Sequence, residues 1–173
     1  YKDAVAYLSL SSSIGGAYMN NKMIYAGSNN RGGEFGHMTI VPHGKRCYCG
    51  RYGCLDAYCT ATALTDFTEG NLKEFFDILK AGNNKGIQNV FEDYTDYLAI
   101  AVNNLRMCFD CDVILGGNVG AYMSDYIDDF RKKAVKLNPF EKDGSYIRVC
   151  HYRTEAAAVG AAIYYIDQFI QNF

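Results

Sequence analysis

The sequence predicts an α/β domain: a mixed five-stranded sheet with helices packed on it. Three observations carry this. Apolar residues recur with a period of two in the first third of the chain and of about 3.6 in the remainder. The later strand-like runs are separated by helical segments, so they must lie parallel and be joined by right-handed crossovers. Between the two regimes lies a stretch rich in glycine and cysteine, with neither period.

The elements follow in order. AVAYLSL (residues 4–10), IGGAYM (14–19) and KMIYAG (22–27) read as a meander of strands that begins in a strand-like run at Tyr1. The Asn20-Asn21 step marks a tight hairpin, since asparagine tolerates positive φ. Glycines at 32, 33 and 36 end the meander. From Asp56 the period becomes helical, and a first helix closes at Gly70. NLKEFFDILKAG is a second, with Asn71 as N-cap and Gly82 as stop. Residues 87–109 form the longest helix, with Val90, Phe91, Tyr94, Leu98, Ala101, Val102 and Leu105 on its buried face. DVILGG (112–117) is a buried strand, residues 124–137 an amphipathic helix ended by Asn138-Pro139, and YIRVCHY (146–152) a last strand. An alanine-rich helix from about Glu155 to Ile170 closes the chain. This order is that of one half of an actin-like, ribonuclease-H-like fold.

Composition narrows the function. The chain has 173 residues, about one domain, and 49% of them are apolar, enough for a core. Its net charge of −2 argues against an isolated nucleic-acid reader, which would be basic. No apolar run approaches the ~20 residues that span a bilayer, and no secretion signal is visible. The expectation is a cytoplasmic protein, of which these residues are one part.

Seven cysteines are present, an odd number, and Cys47, Cys49 and Cys54 are bunched. Bunching without a secretion signal points to metal rather than a disulfide framework. Cys-x-Cys-x4-Cys, with Gly50 and Gly53 as pivots, lets a short loop fold around one point. A histidine would complete a Cys3His tetrahedron, a structural zinc set with no open position for catalysis. Spacing alone leaves His37 and His43 both open. A Cys47–Cys54 disulfide would strand Cys49, and three free thiols on a surface loop remain the plain alternative. Cys59, Cys108, Cys111 and Cys150 read as small core residues.

The stretch GGEFGHMTIVPHGKRCYCGRYGCLDAY resembles the ROK family of repressors, open reading frames and sugar kinases, whose pattern is Gly-Glu-x-Gly-His followed by Cys-x-Cys-Gly-x-x-Gly-Cys-x-Glu. The likeness extends through IGGAYMNNKMIYAG, VILGGN and AAAVGAAIYY to the whole of residues 1–173, read as a C-terminal ROK domain with a zinc loop at about 32–56. The resemblance implies that His37 is the fourth zinc ligand and that Glu34, His37 and Asp56 hold sugar. A carboxylate suits paired hydroxyls, since it accepts two hydrogen bonds. A histidine on zinc through one nitrogen can donate from the other. Asp56 stands where the family has glutamate, one methylene longer, and could also cap the helix that follows.

The family's kinases carry a Gly-Thr-Gly-x-Gly-Gly-Gly phosphate loop. Here Ser11, Ser12 and Ser13 precede Ile14, Gly15, Gly16 and Ala17, so the loop is degenerate and ATP is not expected as a cofactor. Gly116 and Gly117 form a candidate adenosine turn. The resemblance implies a sugar-sensing, oligomerising half of a transcriptional regulator with structural zinc. Its partners would be a sugar or sugar phosphate effector, further copies of itself, and DNA only through an N-terminal domain outside this sequence. The alternative is the corresponding half of an ATP-dependent sugar kinase. The kinase base also lies outside these residues, so no catalytic residue is assigned.

Overall fold

The computed structural model describes residues 4–171. The expected start of the first strand near Tyr1 lies outside the described residues. Five strands, β1 (Ala4–Leu10), β2 (Ile14–Asn20), β3 (Met23–Ile24), β4 (Asp112–Gly116) and β5 (Ile147–Val149), form one mixed sheet in the order β3-β2-β1-β4-β5. The meander is antiparallel, and β4 and β5 add parallel to β1, as the intervening helices require. Strand β1 alternates faces: Ala6, Leu8 and Leu10 are fully buried, while Tyr7 and Ser9 are only half-buried on the other side.

The helices are α1 (Asp56–Cys59), α2 (Thr62–Thr65), α3 (Leu72–Ala81), α4 (Lys85–Phe109), α5 (Gly117–Gly120), α6 (Ile127–Val135) and α7 (Ala156–Gln171). Asn71 and Gly82 bound α3 as expected. The Asn71 side chain accepts from the Glu74 amide, and Gly82 adopts the left-handed conformation at φ 71°. Asn84 caps α4 in the same way, accepting from the Ile87 amide, which starts that helix two residues before the expected position. Tyr94, Leu98, Ala101, Val102 and Leu105 of α4 are buried in the core beneath β1 and β4. Val90 and Phe91 pack at its margin.

Several boundaries differ from expectation for identifiable reasons. The β2–β3 hairpin turns at Asn21-Lys22, both at positive φ (49° and 64°), one residue later than predicted. The third strand shrinks to two residues at the sheet edge, with Met23 and Ile24 exposed. The helix expected from Asp56 to Gly70 is broken at Thr60, whose ψ is 161°. The Ala61 amide there donates to the Ser11 carbonyl instead of continuing the helical ladder. The segment at 124–137 begins as a 3-10 turn (Met123–Asp125) and ends at Val135. Tyr122 and Tyr126 there pack on Phe76. Helix α7 forms as predicted, yet Ile163, Tyr164, Tyr165, Ile166, Phe169 and Ile170 are exposed along it. Among the cysteines expected in the core, Cys59 and Cys111 are buried, Cys150 is half-buried and Cys108 is exposed.

Candidate metal centre and ligand wall

The irregular stretch between β3 and α1 is ordered by backbone contacts with β2. Gly16 and Gly33 face each other so closely that a side chain at Gly16 would begin 2.5 Å from the Gly33 carbonyl and from the Phe35 ring. Phe35 and Gly36 are buried in the 3-10 turn Phe35–His37 that follows. Glu34, between these anchors, is exposed. The sheet thus fixes the backbone on both sides of Glu34 and leaves its carboxylate outward.

The loop then returns twice on itself, with bridges between Thr39 and Cys54 and between Arg46 and Tyr52. Gly53 lies at φ 81°, and a Cβ there would sit 1.8 Å from the Val41 carbonyl, so no other residue fits. This folding brings together one donor atom each from His37, Cys47, Cys49 and Cys54, all within 4.8 Å of one another. The Cys49 and Cys54 sulfurs are 3.8 Å apart, and Cys47 Sγ lies 3.9 Å from His37 Nδ1. Tetrahedral zinc, with Zn–S near 2.3 Å, separates its sulfurs by about 3.8 Å. The donor set therefore fits a structural zinc, and it takes His37 rather than His43. Burial first, and then the neighbouring thiols, push the Cys54 thiol up to about 12, while the Arg51 amide lowers Cys49. The Cys54 thiol holds its proton until a dication replaces it. A zinc bound here would clamp the loop; its coordination would be filled by the four side chains.

With Nδ1 turned to the cluster, His37 presents Nε2 outward, where it meets the Tyr48 phenol oxygen at 3.2 Å. Asp56, at the first position of α1, is 6% exposed and makes no cap bond. Its Oδ1 instead accepts from the Ile14 amide at 2.6 Å. The capping role considered for Asp56 is thus replaced by a tie between the cysteine loop and the β1–β2 turn, a tie invisible to local pattern because 42 residues separate its ends.

That turn holds Ser11, Ser12 and Ser13, closed by the Leu10–Ile14 pair. Ser12 and Ser13 are exposed. Ser11 Oγ accepts from the Asn118 amide at 3.2 Å, which sets the serine turn against the Gly116-Gly117 turn at the ends of the parallel strands β1 and β4. A cleft of 440 Å³ lies beyond α5, lined by Phe76, Asp77, Lys80, Tyr122, Ser124 and Arg153 among others. Sequence reasoning missed Tyr48, whose only local signal was its place between two metal ligands, and this cleft, which is assembled from distant segments.

The sheet order, the Cys3His loop and the paired turns define the class: one half of an actin-like α/β protein with a structural metal loop. The chain belongs to the ROK family, whose model matches residues 2–168. It is 28% identical over 171 residues to an N-acetylmannosamine kinase of Yersinia pestis (strain Pestoides F), covering 94% of this chain and 57% of that protein. The ROK hexokinase of Thermus thermophilus superposes with a TM-score of 0.76 at 27% identity, over 93% of this chain and 58% of that one. A ROK family glucokinase of Streptomyces griseus, solved with glucose and AMPPNP, shares the fold at TM-score 0.74 and 20% identity, over 92% and 59%. So does a ROK family transcriptional regulator homologous to the E. coli MLC protein, at 0.62 and 19%, over 84% and 41%. The chain thus spans a little over half the length of the kinases it matches. Among the described residues no helix is long and apolar enough to cross a membrane.

Proposed function

We propose that this chain is the C-terminal half of an ATP-dependent ROK sugar kinase, with zinc holding the sugar wall. The observation that supports this reading is the hydrogen bond from the Ile14 amide to Asp56, which ties the end of the cysteine loop to the start of β2, next to the serine turn. Phosphoryl transfer needs those two substrates held in fixed relation, because most of its catalysis is positioning and electrostatic stabilisation. The likeness to an N-acetylmannosamine kinase and a hexokinase supports it. In this reading Glu34 accepts from neighbouring sugar hydroxyls, His37 donates through Nε2, and Asp56 offers its second oxygen. The exposed hydroxyls of Ser12 and Ser13, which stand where the family pattern has threonine and glycine, donate to phosphate oxygens. The Gly116-Gly117 turn lies beside the nucleotide. The base that deprotonates the sugar belongs to the preceding lobe.

One observation favours the regulator instead. Ser11 Oγ is already engaged by Asn118, and Ser11 and Ser13 put side chains into a turn where close phosphate approach calls for glycine. On that reading the same wall binds an effector sugar, and a DNA-binding domain precedes the lobe.

The deciding experiment is ADP release by the full-length protein with magnesium-ATP and N-acetylmannosamine, N-acetylglucosamine or glucose in turn. Sugar-dependent turnover is expected. Sugar binding without turnover would overturn the kinase reading in favour of the regulator.

A further inference from the structure

The middle residue of a Cys-x-Cys metal knuckle is sent outward, because both flanking sulfurs turn toward the same point. Here that residue is Tyr48. Its side chain is 75% exposed, an unusual setting for a large aromatic group on an otherwise tightly folded loop. Yet its position is defined. The phenol oxygen lies 3.2 Å from His37 Nε2, and the two rings sit 5.4 Å apart at 60°. When Nδ1 faces the metal, Nε2 carries the proton and donates to the phenol. Nε2 is also the atom that the sugar-kinase reading gives to a sugar hydroxyl.

We propose that Tyr48 gates the sugar subsite and sets its selectivity; this rests on the sugar-binding reading of the wall. In the empty protein the phenol holds the proton of His37 Nε2 and keeps the imidazole aligned. An arriving sugar hydroxyl takes over that hydrogen bond. The exchange costs sugar affinity no more than the net worth of that one exposed hydrogen bond, since tyrosine has only two side-chain torsions to reset. The released ring then lies beside the sugar, where an aromatic face packs against the C–H face of a pyranose while the phenol remains in water. A substituent on the sugar carbon beside the bound hydroxyl meets Tyr48 before any other group of the loop. The residue therefore discriminates at that carbon.

The two functions of the side chain separate by substitution. In the full-length protein, Tyr48→Phe removes the competing phenol and keeps the ring, so sugar should bind about two- to tenfold more tightly, the worth of one hydrogen bond. Tyr48→Ala removes both, and sugar should bind about tenfold more weakly with the preference among N-acetylmannosamine, N-acetylglucosamine and glucose flattened. Calorimetric titration with each sugar measures this, with zinc content confirming the loop in both variants. Opposite signs for the two variants are not produced by a merely structural residue. Affinities and preferences unchanged in both overturn the gate while leaving the sugar wall standing. Wild-type protein that binds none of the three sugars overturns the sugar wall and the gate with it.

Discussion

The Asp56 carboxylate and the Ile14 amide meet at 2.6 Å, and through them the end of the cysteine loop is fastened to the start of β2. A buried carboxylate is costly unless hydrogen-bonded, and a buried amide left without a partner costs about 1–3 kcal/mol. Asp56→Ala should therefore destabilise the domain by about 2 kcal/mol, with Asp56→Asn losing less because it keeps an acceptor oxygen. Urea unfolding of the three proteins, with unchanged m-values, measures this.

The metal site gives a second prediction. Protein purified without chelators should carry one zinc per chain, and Cys49→Ala, Cys54→Ala or His37→Ala should abolish stoichiometric binding and loosen residues 34–56. Because structural zinc contributes its binding energy to folding, its removal should lower Tm by several degrees. Elemental analysis and thermal melts of the stripped protein suffice. A fully stable, zinc-free protein would refute the site.

Zinc affinity should depend on pH in a defined direction. The metal-free Cys54 thiol, raised to about 12 by burial and its neighbouring thiols, is protonated at neutral pH and must lose that proton to bind zinc. Lowering the pH therefore weakens binding, by about tenfold per pH unit for each proton displaced. The trend should continue in the same direction throughout the neutral range. Competition with a chromophoric chelator at several pH values reads the slope.

Glu34 tests the ligand wall without disturbing the fold. Its side chain is exposed and its backbone is anchored by neighbours, so Glu34→Ala should leave zinc content and stability within about 0.5 kcal/mol of wild type. Sugar affinity should nevertheless fall by at least about tenfold, the worth of one hydrogen bond to a charged group. Calorimetric titration of the full-length protein gives both arms.

A fifth prediction concerns the glycines of β2. At Gly16 a Cβ would begin 2.5 Å from the Gly33 carbonyl, whereas at Gly15 its nearest neighbour, Ser9 Cβ, is 3.7 Å away. Gly16→Ala should destabilise by about 2 kcal/mol and displace the Glu34 segment. Gly15→Ala should be nearly neutral. Paired melts distinguish them.

Much of this architecture was legible locally. Helix α3 announces both ends through Asn71 and Gly82, and α4 repeats its apolar face over 25 residues. The three clustered cysteines were legible as a set because their spacing is short, whereas spacing left His37 and His43 both open and only the family resemblance pointed to His37. What the sequence did not disclose depends on distant partners. Thr60 breaks a helix that periodicity would continue, since the Ala61 amide is claimed by Ser11. Asp56 reads as a cap or a ligand until Ile14 is seen beside it. Helix α7 carries an apolar pattern that calls for cover, yet its large side chains are exposed among the described residues. A pattern reports what a segment can bury, not what lies opposite.

The contact between Gly16 and Gly33 bears on how this turn can evolve. Side chains at positions 12 and 13 project into open water, so those positions can vary without disturbing the sheet. Position 16 has no such freedom, because its backbone is pressed against the segment that carries Glu34. A lineage that rewrote the serine turn altogether would still keep this glycine for as long as it kept the Glu34 segment in place. Gly16 is thus held by packing alone, whatever the serine turn before it comes to bind.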